Sequence, residues 1–259
     1  MPFIYPTKNI NLSKKTLVVP VVSTANVSQL AADLLIATLS LKRIAVFDAS
    51  YFVPVVGGRE DGEEGVTTPY ELFGTDTSDV LVIQQRSPVL KSRKQDFVGV
   101  LLDFIKSFGF AGVLFLSGVD LSNRTDSQML TPTYHIVPQN SPTLESSPLK
   151  DLLALPIPLY TSPVLQKPQD GVEQNAPVPF IPGGGLTRRI LSSLPEDWPI
   201  PTAALLQFVL EGDNRADANL LAAVTAKVIG QDSLVKQWKQ PSSWKEGLFG
   251  APHDQTLYG

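Results

Sequence analysis

The sequence predicts an α/β domain in which helices cover a sheet, on three observations. Short β-branched runs recur through the first 120 residues. Segments with apolar residues at helical spacing separate them. Glycines stand where those helices should stop. Strands alternating with amphipathic helices are the pattern of a layered α/β fold.

Thr16 to Val22, TLVVPVV, reads as a buried strand. In the following STANVSQLAADLLIATLSL, Asn26 is placed to cap a helix, with Gln29 three residues on in a variant of the capping box. Val27, Leu30, Ala31, Leu34 and Leu35 then share one helical face. RIAVFDA, from Arg43, reads as a second strand. Strand, helix, strand at this spacing suggests a right-handed crossover and a parallel pair. Gly57 to Gly65, GGREDGEEG, forms a glycine-rich acidic loop between this unit and the next.

The pattern repeats. DVLVIQQ from Asp79 is a strand. Lys94 to Phe108 is a helix with Phe97, Leu101, Phe104 and Phe108 on one stripe, and Gly109 ends it as a left-handed terminal glycine would. GVLFLSG from Gly112 is the next strand. Ten prolines between Pro138 and Pro182 then exclude any long helix, leaving short strands, loops and a short helix near Lys150 to Leu153. The C-terminal third reads as helical. TAALLQFVLEGDN is expected to be one helix, stopped near Gly212. Asp213 or Asn214 caps a second, which runs to about Ile229 with Leu220, Leu221, Val224 and Val228 inward, and Gly230 closes it. Residues 1–250 are expected to form one domain, with the proline-rich stretch at about 138–182 as an insertion. Residues 251–259 are expected to form an exposed, flexible tail.

Composition removes several function classes. With 259 residues and 43% hydrophobic content, the chain can bury a large core. Its net charge of −4 lacks the basic footprint that nucleic acid or an anionic membrane surface requires. There are no cysteines, which excludes disulfides, thiolate metal sites and cysteine nucleophiles, and fits the cytoplasm or nucleus. The N-terminal MPFIYPTKNI has no basic region followed by a long apolar run, so no secretory signal is expected.

The motif search yields no catalytic set. Ile181 to Arg189, IPGGGLTRR, places three glycines before a helix and two arginines within it. The Gly183–Gly185 turn could hold a phosphate or nucleotide on its amides, as in an enzyme. The pattern favours instead a tight turn where two backbones approach closely. It lacks the Lys-Ser/Thr ending of a phosphate-binding loop. His135 and His253 have no neighbours at metal-ligand spacing, so no metal is expected. No G-x-S-x-G elbow occurs. The pairs Glu63-Glu64 and Glu196-Asp197 fall in loops and read as solvated. Trp198, Trp238 and Trp244 could be core anchors or interface anchors, and the sequence favours the core for most of them. No cofactor is expected.

The chain ends in DQTLYG. A hydrophobic residue, a tyrosine, any residue and a free carboxylate make a compact docking unit. A groove with an apolar slot and a lysine could read Leu257, Tyr258 and the Gly259 carboxylate together. The preceding GAPHDQT is a polar, proline-containing tether.

Four segments carry a resemblance to a known family: VVPVVSTANVSQLAADLLIATL, FIPGGGLTRR, LLQFVLEGDNRADA and PSSWKEGLFG. Together, from about Val18 to the end, the chain resembles the proteasome assembly chaperone 2 family. The resemblance implies a three-layer α/β/α sandwich of phosphorylase-like shape and a protein that is not an enzyme. It implies a heterodimer with proteasome assembly chaperone 1 that binds the outer face of the proteasome α-subunit ring during assembly of the core particle. There it favours correct rings and blocks early activator docking. Leu257, Tyr258 and Gly259 match the family's hydrophobic-tyrosine-any tail, whose carboxylate would pair with a lysine of the ring. The rival readings are an enzyme using the Gly183–Gly185 turn and a homo-oligomer whose tail packs on a neighbouring copy.

Overall fold

A computed structural model describes residues 2–8, 10–60, 63–163 and 178–246. Its strands are β1 (Ile4–Pro6), β2 (Thr16–Pro20), β3 (Lys42–Phe47), β4 (Gly57–Gly58), β5 (Val66–Thr67), β6 (Tyr70–Gly74), β7 (Val80–Gln85), β8 (Gly112–Asp120), β9 (Thr133–Ile136) and β10 (Thr202–Val209). The α-helices are α1 (Val27–Thr38), α2 (Lys94–Phe108), α3 (Gly185–Ser192) and α4 (Arg215–Val228). Eight strands form one sheet in the order β1-β3-β6-β7-β2-β8-β10-β9, and β4 pairs with β5 in a small hairpin.

The centre of the sheet is parallel: β7 with β2, β2 with β8, and β8 with β10. Both edges are antiparallel. Helices cover both faces. On one, α1 and α4 pack with Val18, Val82, Leu114, Leu116 and Leu205. On the other, α2 and α3 pack with Leu17, Leu81, Phe115 and Leu206. The alternation along each strand sends neighbouring side chains to opposite layers, so the layered α/β domain read from the residues forms, as the three-layer sandwich that the resemblance implies. An aromatic cluster of Phe3, Phe47, Phe52, Tyr70, Phe97 and Phe104 fills the α2 side.

Four expectations are corrected. The largest concerns TAALLQFV, which is not a helix but the interior strand β10, buried along its whole length between β8 and the edge strand β9. A strand covered on both faces shows no apolar/polar alternation, and its alanines and leucines mimic a helix core. Next, β2 and β3 run in the same direction but are not neighbours, because β6 and β7 lie between them. β6 had no strong strand signal. At the start of α1, Asn26 stands in the left-handed region (φ 53°) and makes no capping bond to the helix amides. Its Oδ1 accepts instead from the Gln29 side chain at 3.0 Å. Finally, Phe108 and Leu220 are partly exposed rather than inward. Gly109 and Gly230 do end α2 and α4 with positive φ, and Asp213 accepts from the Arg215 amide at the start of α4. No described helix is long and apolar enough to cross a membrane.

Candidate partner-docking site

The end of the described chain is strapped down rather than frayed. After α4 and a 3-10 turn at Asp232–Leu234, the backbone returns toward α1, where the Lys239 amide donates to Thr38 Oγ1 at 3.0 Å. A final 3-10 turn, Ser242–Glu246, follows. Trp244 within it is buried in the α1/α4 layer, and Trp238 packs against the same cluster half-buried. The expected core role of Trp244 and Trp198 is met; Trp198 is buried and its Nε1 donates to Thr202 Oγ1 at 2.9 Å.

A carboxylate from the far end of the sequence holds this turn. Glu60 lies in the glycine-rich acidic loop. Its Oε2 accepts from Ser242 Oγ at 2.7 Å and from the Ser243 amide at 3.1 Å, and its Oε1 accepts from Ser243 Oγ at 2.5 Å. Partial burial raises the Glu60 pKa, but those three bonds and the nearby Arg86 charge outweigh it and hold the carboxyl below its ordinary value. Sequence reasoning took this loop for a solvated separator. Its partner is 182 residues away, and nothing local signals that contact.

The loop is itself tied to the sheet. Glu63 pairs with Arg59 and with Lys42 of β3, and Arg43 of β3 donates to the Val66 carbonyl and pairs with Glu71 at 2.8 Å. Beneath the strap is a cavity of about 300 Å³, lined by Asp33, Arg43, Glu60, Glu71, Arg86 and Lys239 among others. Its carboxylates are matched. Arg86 meets Asp33 at 2.7 Å, and Gln84 Nε2 donates to the same carboxylate at 2.6 Å. Burial pulls the Arg86 pKa down, yet the Asp33 charge and hydrogen bond reverse this and leave it raised.

The docking residues singled out by sequence, Leu257, Tyr258 and Gly259, lie outside the described residues, as does His253. Residues 247–259, thirteen in all, follow Glu246.

The glycine turn resolves into a packing device. Gly183 has φ +75°, and a Cβ there would fall 1.8 Å from Thr24 Oγ1. A Cβ on Gly184 would fall 2.4 Å from Ile181 Cγ2, and one on Gly118 of β8 would fall 2.5 Å from the Thr24 carbonyl. The turn, the end of β8 and the loop after β2 therefore meet backbone to backbone. The arginines point elsewhere: Arg188 Nε donates to the Val178 carbonyl and Arg189 to Gln95 Oε1.

Doubly wound sheets hold ligands beyond the carboxyl ends of their strands, where successive helices leave to opposite faces. Here that point is between β2, which leads to α1, and β7, which leads to α2. Protein acceptors take several of the amides around that edge. Val22 donates to Gln85 Oε1 at 3.0 Å, Ala25 to Glu211 Oε1 at 3.1 Å, Gly118 to Ser23 Oγ at 2.7 Å and Gly184 to the Ile181 carbonyl at 3.0 Å.

His135 stands on β9 with Nδ1 2.9 Å from the Ile157 carbonyl, and burial lowers its pKa despite that bond. This is the structural role expected of it. Among the described residues no three His, Asp or Glu side chains gather as a metal site.

Comparisons with known proteins agree with this architecture. The model of the PAC2 family matches residues 17–229. A protein named Proteasome assembly chaperone 2 from Xenopus tropicalis is 32% identical over 260 residues, covering 92% of this chain and 93% of its own. The Homo sapiens protein of the same name is 30% identical over 262 residues, covering 96% of each. Among solved structures, Pyrococcus furiosus PbaA, described as an archaeal homolog of proteasome-assembly chaperone, superposes with a TM-score of 0.61 at 15% identity, over 90% of both chains. Pyrococcus furiosus PbaB, described as an archaeal proteasome activator, gives 0.57 at 15% identity over 90% of this chain and 93% of its own. At that identity the two archaeal structures speak to the fold alone. The match of the family model to residues 17–229 and the similarity to the vertebrate proteins over more than nine-tenths of the chain show that this chain belongs to the PAC2 family.

Proposed function

We propose that this chain is an assembly chaperone of the proteasome core particle. It pairs with proteasome assembly chaperone 1 and, as that heterodimer, binds the outer face of the α-subunit ring in assembly intermediates. It promotes correct rings and keeps activators off until the ring is complete. Leu257, Tyr258 and the Gly259 carboxylate enter a pocket between adjacent α subunits, where a lysine pairs with the carboxylate. The chain acts by binding and not by catalysis, in the cytoplasm and nucleus, with no cofactor.

The observation that carries this reading is the similarity to relatives named proteasome assembly chaperone 2 over more than nine-tenths of the chain. The ending Leu-Tyr-Gly supports the docking mode, and the close packing of Gly183 and Gly184 against Thr24 and Ile181 supports the non-enzymatic one. Two tails on one heterodimer would reinforce one another through effective concentration, so neither site need be tight alone.

The test is reconstitution. Co-expressed with proteasome assembly chaperone 1, the chain should co-purify as a one-to-one complex and associate with α-ring intermediates on a native gel. A chain that stays alone, or pairs but ignores α subunits, contradicts the proposal. A homo-oligomer of this chain without the second chaperone would instead support the copy-to-copy reading.

A further inference from the structure

In the cavity beneath the strap, unengaged donors, an apolar wall and enclosed space coincide. Every residue lining it is among those described. Its volume of about 300 Å³ stands at the lower end of the range that holds small organic ligands. Four carboxylates line it, and each is already served by donors: Asp33 by Arg86 and Gln84, Glu71 by Arg43 and Thr68, Glu63 by Lys42 and Arg59, Glu60 by Ser242 and Ser243. Two donors are left over. The terminal nitrogens of Arg86 are turned to Asp33, and its buried Nε has no hydrogen-bond partner among the described residues. The Lys239 ammonium has none there either, and only its backbone amide is engaged, by Thr38. A buried N–H without an acceptor carries its desolvation cost uncompensated. Ile36 of α1, Leu41, Phe73 of β6 and Pro241 of the strap add an apolar wall.

We propose that this cavity binds a small organic monocarboxylate. The ligand's carboxylate accepts from Arg86 Nε and Lys239 Nζ, and its hydrocarbon or aromatic body lies against Ile36, Leu41 and Phe73. The free groups select the head: both are donors, and an ionised carboxylate is a pure acceptor. The charge count selects its valence. Lys42, Arg43, Arg59, Arg86 and Lys239 stand against the four carboxylates, which leaves one positive charge. A monoanion cancels it, a phosphate dianion overshoots it, and a cation adds to it. Lys239 and Pro241 belong to the strap, whereas Arg86 and Phe73 belong to the sheet side, so an occupied site joins strap to sheet by a further contact. The inference is independent of the docking reading of the chain's end.

The test measures the melting temperature of the full chain with phenylacetate, phenyl phosphate and benzyl alcohol, each at 10 mM and matched ionic strength. These share an aromatic body and differ in head: monoanion, dianion and neutral. A ligand of about ten heavy atoms binds with a Kd on the order of 1 mM. Phenylacetate should therefore raise Tm by about 3–5 °C. Phenyl phosphate should raise it less, and benzyl alcohol should leave it unchanged. Hydrogen exchange across 239–241 should slow with phenylacetate. Arg86→Lys keeps the charge beside Asp33 and removes the Nε–H, and Lys239→Ala removes the other donor. Each should cut the phenylacetate shift to about 1 °C, the effect of roughly tenfold weaker binding. Should Arg86→Lys fail to fold, Lys239→Ala decides alone, because Lys239 is exposed and bears no ion pair among the described residues. No shift with phenylacetate overturns the proposal. A shift undiminished in either variant places the ligand elsewhere and overturns it too. A shift matched by benzyl alcohol removes the carboxylate from recognition, and one matched by phenyl phosphate removes the charge count; either result overturns the assigned class.

Discussion

Alanine at Gly183 would separate a packing turn from a ligand turn, because the two readings place different demands on that residue. The structure puts Gly183 at φ +75°, a left-handed conformation that costs an L-residue about 1–2 kcal/mol. The added Cβ would also sit 1.8 Å from Thr24 Oγ1 and 3.2 Å from Thr24 Cβ. Thr24 is β-branched, so turning its hydroxyl away brings its methyl into the same space. Overpacking of this kind costs about 1–3 kcal/mol. The expected destabilisation is therefore about 2–5 kcal/mol, read by urea denaturation of the wild-type and Gly183→Ala chains in the same complex. Two companions make the number diagnostic. In a Thr24→Ala background the clash is relieved and Gly183→Ala should cost only about 1–2 kcal/mol, the conformational share. At Gly185, where an added Cβ meets nothing within 4 Å, alanine should be neutral or stabilise by up to about 1 kcal/mol. The reasoning is refuted if Gly183→Ala costs less than about 1 kcal/mol, or if Thr24→Ala recovers none of the loss. A rise in melting temperature with millimolar phosphate, lost in Gly183→Ala, would restore the enzyme reading.

Two further predictions concern buried charge. Arg86→Leu leaves the Asp33 carboxylate, only 7% exposed, beside a neutral side chain, and should cost about 3–5 kcal/mol in denaturant unfolding. Replacing Asp33 by leucine in the same chain should recover part of this, and no recovery would mean the pair is not the source. His135 has a folded pKa below its ordinary value of 6.5, so between those two values the unfolded chain holds more protons and stability rises with pH. Its contribution is complete above pH 6.5 and is lost as pH falls toward the folded value. Melting curves across pH 7 to 5 should therefore fall less steeply for His135→Gln than for wild type, and identical slopes would contradict the assignment.

Much of the architecture was legible because its signals are local. The stripe of Phe97, Leu101 and Phe104 and the terminal Gly109 define α2 within one segment, and the structure bounds it at the same residues, Lys94–Phe108. β2, β7 and β8 are β-branched runs between polar turns, and they form the parallel centre. β10 was misread because a strand buried on both faces has no period to read. Its eight-residue length and the prolines at 199 and 201 before it were the available hints. The order of strands was illegible for a different reason: β3 and β2 are joined through α1, yet β6 and β7 come between them, a choice made by long-range pairing.

The proposed docking site divides in the same way. Leu257, Tyr258 and Gly259 are contiguous, so a motif could name them from sequence. Glu60 and its serines are separated by 182 residues and could be joined only in three dimensions. The glycine turn lay between these cases. Three glycines said that the backbone needed room, but only the position of Thr24 said what filled it.

The central proposal is that the chain acts by docking its carboxyl terminus on the α ring, and capture of ring intermediates by the co-purified heterodimer tests it most directly. Intact chain, chain lacking Leu257 to Gly259 and Tyr258→Ala would be compared at matched heterodimer yield. The account predicts that capture falls sharply in both variants while the heterodimer stays folded. Undiminished capture in both would mean that the body or the second chaperone's tail carries the binding, and would contradict it.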